Sequence, residues 1–290
     1  MITQAQASDL FRSEPERYID TDVGQVAYRA VGEGPDVLFV HGWPVHGATF
    51  RRLLPYLAPH VTCHLIDLPG TGSSRFSDPS RLSVETHIDA VRATVDELGL
   101  DSVALVGHDS GGLIARHAMG TDPRLRGLGL IDTEQSQGLH WRFKLFLSMR
   151  HAPGFGRILA WTCDQPRVRR NKLLFGDAFY DASLLDGEFD EFFLQPLNTD
   201  RSLLAAGIAI LKSFDIAKHV EPLGELHRTI EAPTRLVWGA EDRFFPVEWA
   251  REMASEFPNG SIDVVADAGL FSHEEKPEEV AAALLPVLAG

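Results

Sequence analysis

An α/β fold with a mostly parallel central sheet flanked by helices is predicted by three features of this 290-residue sequence. Short, nearly continuous apolar runs occur at residues 37–40, 61–66 and 103–106, and such runs are typical of strands buried on both faces of a parallel sheet. A helical pattern separates the last two runs, with one apolar stripe from Val84 to Leu98. Strand, helix and strand at this spacing form a βαβ unit, which is the repeating unit of such sheets.

The same alternation continues along the chain, but a helical stretch interrupts it. Further elements follow as strand, strand, helix, strand and helix, at residues 128–131, 234–238, 248–257, 262–265 and 277–288. The stretch between the first two of these strands carries helical patterns at 141–149 and 203–214 and is predicted to be all-helical.

These patterns predict two domains. The core domain comprises residues 1–132 and 227–290, and a helical cap of residues 133–226 is inserted after the strand that ends near Asp132. A cap at this place covers the carboxyl ends of the strands, where α/β sheets hold their sites. The polar segment before Gly24 is left open between partial disorder and an interface.

The charge balance and the cysteines limit the classes of function. Lys and Arg number 27 and Asp and Glu number 41, so the net charge of −14 disfavours nucleic acid and anionic membrane surfaces as partners. No apolar run approaches the roughly 20 residues of a membrane span, and residues 1–21 lack the apolar stretch of a secretory signal. Cys63 and Cys163 are far apart and in no metal-site spacing. We therefore expect a cytoplasmic monomer or homodimer without a metal or cofactor.

A candidate nucleophile directly follows the third apolar run. The letters GHDSGG at residues 107–112 are followed by a helical pattern, which is the strand–turn–helix context of a nucleophile elbow, G-x-Nu-x-G. Small residues let the chain turn sharply while the central side chain, here Asp109, projects from the turn. Taken alone, the pattern fits a helix N-terminus capped by Asp109 equally well. Ser110 is a poor nucleophile candidate, because that register puts His108 where the elbow needs its first glycine.

Four other segments match the α/β-hydrolase superfamily in the same order along the chain. They are HGWP at 41–44, DLPGTGSS at 67–74, WGAED at 238–242 and AGLFSHE at 268–274. These segments resemble, in turn, the H-G-x-P turn, the D-x-x-G-x-G-x-S loop, the turn that presents the acid and the segment that presents the base. The resemblance extends from residue 37 to the C-terminus apart from the cap, and it implies an α/β-hydrolase fold.

With an aspartate at the elbow, the sequence resembles the Asp-nucleophile branch of this superfamily, mainly epoxide hydrolases and haloalkane or haloacid dehalogenases. A carboxylate that attacks an sp³ carbon forms an alkyl-enzyme ester, which a histidine-activated water then hydrolyses. The resemblance implies that Asp109 is the nucleophile and His273 the base. The backbone N–H groups of Trp43 and Ser110 are expected to form the oxyanion hole.

The acid that orients the base is expected in one of two loops, each of which follows a predicted strand. Asp242 fits the turn after the penultimate strand and is the first choice. Asp132 and Glu134 follow the preceding strand, where some dehalogenases keep their acid, and Asp132 is the reserve candidate. An entry cap for the helical insertion is the structural alternative for Asp132.

The sequence differs from both epoxide hydrolases and dehalogenases at the positions that would stabilise the leaving group. Ser110 stands where dehalogenases usually have a tryptophan, and Tyr180 is the lone cap tyrosine where epoxide hydrolases usually have two. The candidates for the substrate pocket are His41, Tyr180, His140, Trp141, Trp161 and Phe271. We predict a hydrolase that converts a small apolar organic substrate with water, first an epoxide to a diol. The alternatives are a haloalkane or haloacid dehalogenase, and a non-hydrolytic or ligand-binding protein of this fold.

Overall fold

A computed structural model describes residues 2–172 and 174–290. In this part of the chain one sheet contains the strands β1 (Arg17–Thr21), β2 (Gly24–Val31), β3 (Asp36–Val40), β4 (Thr62–Asp67), β5 (Arg75–Phe76), β6 (Val103–His108), β7 (Leu125–Ile131), β8 (Thr234–Gly239) and β9 (Gly260–Val265). The order across the sheet is β1-β2-β4-β3-β6-β7-β8-β9, and β5 pairs with β2. The pairs from β4–β3 to β8–β9 are parallel, whereas β2 pairs antiparallel with its neighbours. The predicted mostly parallel sheet is confirmed.

Helices flank this sheet and occupy the segment between β7 and β8. Before β7 lie α1 (Gln4–Arg12), α2 (Leu54–Leu57), α3 (Val84–Glu97) and α4 (Ser110–Met119). Between β7 and β8 lie α5 (Trp141–Met149), α6 (Phe155–Asp164), α7 (Pro166–Arg169), α8 (Gln195–Thr199), α9 (Arg201–Ser213), α10 (Ile216–His219) and α11 (Leu223–Thr229). After β8 follow α12 (Val247–Ala254), α13 (Ser272–Glu275) and α14 (Pro277–Leu288). Within the described residues, no helix combines the length and the apolar character needed to cross a bilayer.

The N-terminal segment is ordered and packs on the core. Thr3 and Gln6 form a capping box at the start of α1, where each side chain accepts a hydrogen bond from the other residue's backbone N–H. Ala7 and Phe11 of α1 are buried, and β1 pairs with β2. The question that the polar composition left open is therefore answered in favour of regular structure. The helix predicted at 248–257 ends earlier, at Ala254, because a turn follows it.

The carboxyl ends of four neighbouring parallel strands converge at one edge of the sheet. The strand residues of β6 are fully buried, and the chain turns sharply after His108. The loops that follow β3, β7 and β8 contain Trp43, Asp132 and Asp242, respectively. The fold therefore gathers residues that are distant in sequence at the edge where parallel sheets hold their sites.

Candidate active site

Asp109 lies at the sharp turn between β6 and α4. Its φ of 51° and ψ of −136° are a strained conformation for a residue with a side chain. Its backbone N–H donates to the carbonyl oxygens of Ile131 and Asp132, at 3.2 and 3.1 Å. Gly111 permits the turn, because a Cβ there would lie only 2.1 Å from the carbonyl oxygen of Val40. The elbow predicted from the sequence is therefore present, with Asp109 at its central position.

Two backbone N–H groups and a hydroxyl point at the Asp109 carboxylate. The N–H of Trp43 donates to Oδ2 of Asp109 at 2.9 Å, and Ser110 Oγ donates to the same oxygen at 3.3 Å. Burial raises the pKa of Asp109 to about 6, while hydrogen bonds from the backbone N–H groups of Ser110 and Trp43 act in the opposite direction. The structure thus brings Trp43 and Ser110 to the place where an oxyanion on Asp109 would form.

Gly42 leaves room for the side chain of Asp109, and we expect Gly42→Ala to reduce the reactivity of Asp109 strongly. A Cβ at this position would lie 2.5 Å from both Cβ and Oδ2 of Asp109. The carboxylate would therefore have to move away from Trp43 N, and a misplacement of this kind costs about 10²-fold in rate. The measurement is the rate of covalent labelling of Asp109 by an alkylating substrate.

Gly224→Ala is the matched control for this variant. In α11 the nearest atoms to a Cβ on Gly224 are at 3.7 and 3.9 Å, which is ordinary contact. We expect the control to label at the wild-type rate. A Gly42→Ala protein that folds and labels as fast as this control would contradict the steric argument.

A buried polar cluster supports the elbow from the side of β7. Arg116 of α4 is fully buried and donates to Gly112 O, Thr133 Oγ1 and Glu134 O at 2.9, 3.0 and 2.8 Å. Thr133 Oγ1 donates to the backbone carbonyl of Asp109 at 2.7 Å and lies 3.1 Å from Glu134 Oε2. Burial raises the pKa of Glu134 to about 8, and the negative charge of Asp109 adds to this effect. The cluster therefore joins a second carboxyl group to the turn that holds Asp109.

Glu134→Gln should stabilise the protein at high pH and leave it unchanged at low pH. The pKa of Glu134 is raised from 4.5 to about 8 in the folded chain, so folding favours the protonated form. As pH rises between these values the unfolded chain ionises first, and the free energy of unfolding falls by about 1.4 kcal/mol per pH unit. A glutamine does not incur this loss, and its side-chain amide can still form a hydrogen bond with Thr133 Oγ1.

The measurement is urea unfolding of wild type and Glu134→Gln at pH 4.5 and pH 8. We expect the variant's advantage to appear only at the higher pH and to reach a few kcal/mol. Glu97→Gln, on the exposed side of α3, is the control and should show no such difference. An advantage of equal size at both pH values would contradict a protonated Glu134.

Neither candidate for the orienting acid contacts a histidine. Asp242 Oδ1 accepts from the backbone N–H groups of Phe244 and Phe245, at 2.8 and 3.0 Å, and Oδ2 has no partner among the described residues. Asp132 accepts from Gly239 N and from the Ser272 hydroxyl. Burial raises the pKa of Asp242 to about 7, and burial together with Asp242 raises that of Asp132. At neutral pH these two acids are therefore held partly or fully protonated.

The assignment of His273 as the base needs correction. His273 is fully buried, and its Nε2 lies 2.8 Å from Thr49 Oγ1, while Nδ1 has no partner in the described part of the chain. Its ring packs against the ring of His108 at 4.3 Å between centroids, behind the elbow. Burial lowers its pKa well below the usual value, and nearby His108 adds to the effect.

The local chain path explains this correction. Helix α13 begins at Ser272, so Ser272, His273 and Glu274 turn into the protein, where Glu274 forms a buried ion pair with Arg51 at 2.6 Å. Leu270 and Phe271 lie just before the helix and line the cavity that contains Asp109. The segment expected to present a base therefore presents two apolar side chains to the cavity that contains Asp109.

This cavity has a volume of about 410 Å³ and is predominantly apolar. Asp109, Ser110 and Glu134 lie in its wall. The remaining wall is largely aromatic and aliphatic and includes Phe143, Phe146, Phe155, Phe214, Phe245 and Leu270. A second cavity of about 350 Å³ lies on the other side of Trp43 and Pro44 and has a more polar wall, which includes His41 and Thr71. Asp109 therefore faces a space suited to a small apolar molecule.

The six predicted pocket residues are divided between these spaces and the rest of the surface. Phe271 and Trp141 line the cavity of Asp109, although Trp141 remains 58% exposed. His41 lines the second cavity and holds loops together, since its Nε2 lies 2.9 Å from Leu68 N. The other three, Tyr180, His140 and Trp161, line neither cavity, so the structure does not bring them to Asp109.

The family follows from a comparison with known proteins. Residues 37–283 match the model of the alpha/beta hydrolase family. The chain belongs to the alpha/beta hydrolase family. A pimeloyl-[acyl-carrier protein] methyl ester esterase of Stenotrophomonas maltophilia (strain R551-3) is 29% identical over 261 residues, which cover 89% of this chain and 95% of that protein. This relative is thus named as an esterase and not as an epoxide hydrolase or a dehalogenase.

Solved structures of other alpha/beta hydrolases have the same fold. The haloalkane dehalogenase DbeA from Bradyrhizobium elkani USDA94 matches with a TM-score of 0.77 at 23% identity, over 94% of this chain and 97% of that chain. The epoxide hydrolase CorEH matches with a TM-score of 0.76 at 20% identity, over 94% and 98%. At these identities the likeness establishes the α/β-hydrolase fold, which was predicted from the sequence, and not the reaction.

The sequence analysis did not single out three residues of this alpha/beta hydrolase site. Thr133 and Arg116 join Glu134 to the elbow, and Leu270 lines the cavity that contains Asp109. For Thr133, its position directly after the candidate acid Asp132 was a signal in the sequence. Arg116, which lies between Ala115 and Ala118, gives no comparable signal. Its partners Thr133 and Glu134 belong to the loop after β7 and are not near it in the sequence.

Proposed function

We propose that this alpha/beta hydrolase opens a small apolar epoxide through an alkyl ester of Asp109, and that water then releases the diol. One observation carries the proposal: the Asp109 carboxylate lies in the wall of an apolar cavity, with Trp43 N at 2.9 Å from its Oδ2. Displacement at carbon needs an ionised carboxylate with a free approach. The N–H groups of Trp43 and Ser110 would stabilise the oxyanion when the ester is hydrolysed.

A carbon electrophile suits Asp109 better than an ester substrate. A carboxylate that attacks an ester carbonyl gives an anhydride, which is a poor intermediate. Attack on an sp³ carbon with a strained oxygen or a halide gives a stable ester instead. For this reason we do not transfer the ester substrate in the relative's name to this chain.

The contacts of the tryptophans favour an epoxide over a halide. A departing halide is stabilised by N–H donors, but the indole N–H of Trp43 already donates to Gly207 O at 2.9 Å. Trp161 is 55% exposed and does not line the cavity. A departing epoxide oxygen needs a proton, and a carboxyl group whose pKa is raised, Glu134, lies in the wall. A dehalogenase remains the second candidate, with Trp141 as the indole in the cavity wall.

Mass spectrometry with two classes of probe tests the proposal. Wild-type protein is mixed with terminal epoxides or with alkyl bromides of matched size, quenched, and digested to locate any adduct. We expect the peptide with Asp109 to gain the full mass of the epoxide. An adduct from the bromides alone would favour the dehalogenase. If neither class labels Asp109, the covalent mechanism is wrong, and a ligand-binding role is the next hypothesis.

A further inference from the structure

The hydroxyl of Thr133 links the carboxyl group of Glu134 to the backbone of Asp109. A threonine hydroxyl has one hydrogen to donate and two lone pairs that accept. Three groups lie within hydrogen-bond distance of Thr133 Oγ1: the carbonyl oxygen of Asp109 at 2.7 Å, Nη2 of Arg116 at 3.0 Å and Oε2 of Glu134 at 3.1 Å. The carbonyl can only accept, and the guanidinium of Arg116 can only donate. A protonated Glu134 would satisfy all three contacts at once, because it could donate to the second lone pair while the hydroxyl donates to the carbonyl oxygen. An ionised Glu134 would compete with that carbonyl oxygen for the single hydrogen.

The surroundings of Glu134 also favour a protonated carboxyl group. The residue is fully buried, and Arg116 donates to its backbone carbonyl oxygen at 2.8 Å rather than to its carboxylate. The ion pair that would hold a charged Glu134 is therefore absent from its described contacts. Burial and the charge of Asp109 both raise its pKa, to about 8. The cavity wall thus holds two carboxyl groups, Glu134 with a pKa of about 8 and Asp109 with a pKa of about 6.

The second oxygen of this carboxyl group is free to act on a ligand. Oε1 of Glu134 is buried and has no hydrogen-bond partner in the described residues, although Glu134 lies in the cavity wall. A half-turn about the last side-chain bond exchanges the two oxygens, so either can carry the proton. The described wall of the cavity therefore contains the carboxyl groups of Asp109 and Glu134 and no histidine.

We propose that Glu134 is the proton carrier of the reaction, giving its proton to the departing epoxide oxygen and later taking one from the attacking water. This inference rests on the function proposed above for Asp109. It deepens that function by assigning the role that the sequence analysis gave to His273, which is held on Thr49 behind the elbow.

The two steps balance without another group. In the first, an Asp109 carboxylate oxygen bonds to carbon, the epoxide C–O bond breaks, and the alkoxide takes the proton of Glu134, which becomes a carboxylate. In the second, water adds to Cγ of Asp109 while Glu134 takes one of its protons. The tetrahedral intermediate then expels the diol oxygen, which takes the proton of the new hydroxyl group. Asp109 ends as a carboxylate and Glu134 as an acid.

Alkyl bromides separate the two roles, because their displacement by Asp109 needs no proton and leaves Glu134 protonated. The later hydrolysis still needs a base, which Glu134 becomes when it loses its proton to solvent, since the ester no longer has the Asp109 charge that helps to raise the Glu134 pKa. In Glu134→Gln we expect labelling by the epoxide to slow by about 10²- to 10⁴-fold. Labelling by the bromide should stay near the wild-type rate, and the ester once formed should persist about 10²- to 10⁴-fold longer. Intact-protein mass spectra taken over time measure both rates.

Glu97→Gln is the control, and it should match wild type with both probes. Equal slowing with both probes would show a structural role for Glu134 and overturn the inference. An ester lifetime unchanged from wild type would also overturn the inference about Glu134. In either case, labelling of Asp109 in the wild-type protein would leave the proposed function intact. No Asp109 adduct in wild type would instead overturn the proposed function itself. If Glu134→Gln does not fold, Glu134→Met serves in the same comparison.

Discussion

Asp109→Asn is expected to abolish covalent capture and turnover of epoxides, with a loss of at least about 10⁴-fold in rate. The amide keeps the shape of the side chain and can still accept from Trp43 N, which is 2.9 Å from Oδ2 in the wild type. It lacks the charge and the nucleophilic oxygen pair, so no alkyl ester can form. The measurement is diol production together with the mass of the protein.

The fold should survive this change, because burial already disfavours the charged form of Asp109 and raises its pKa to about 6. Asp101→Asn, an exposed substitution of the same type, is the control and should leave diol production unchanged. Turnover by Asp109→Asn within about tenfold of the control would contradict a covalent role for Asp109.

Leu270→His should restore a base to a protein that lacks Glu134. Leu270 lies in the wall of the cavity that contains Asp109, and the backbone carbonyl of Leu270 is anchored by His108 Nε2 at 3.0 Å. In the Glu134→Gln background we expect the added imidazole to shorten the lifetime of the bromide-derived ester by about 10²- to 10⁴-fold. The effect should require the neutral imidazole and therefore be lost as pH falls below about 6.5.

Leu270→Gln in the same background is the control, since it adds a polar group of similar size that cannot act as a base. The ester lifetimes of the two double variants are compared by mass spectrometry. If histidine and glutamine give the same lifetime, Leu270 does not face the ester, and the described geometry of the cavity is wrong.

The sequence predicted the parts of the site that depend on local pattern. A strand, a glycine-rich turn and a helix located Asp109, and α5 was predicted with its observed bounds, 141–149. The polar residues before Gly24 could not be assigned in this way, because only a few apolar side chains, including Phe11, mark their buried face.

The prediction of His273 as the base shows where reasoning from the sequence fails. The segment 268–274 was located by resemblance, but the residue that faces Asp109 depends on where α13 begins. The irregular turn at Phe271, with φ −99° and ψ 48°, directs Leu270 into the cavity and His273 away from it. The raised pKa of Glu134 was equally out of reach, because it follows from the burial of this residue beside Thr133 and Arg116 in the folded chain.

A single turnover in water enriched in oxygen-18 tests the central claim, the ester on Asp109, most directly. The protein is kept in excess over the epoxide, so that each molecule reacts once at most. We predict a diol without the heavy oxygen, since its new oxygen comes from the Asp109 carboxylate, and a peptide containing Asp109 that has gained it. A labelled diol with an unlabelled Asp109 would mean that water attacks the epoxide directly, and it would contradict the account.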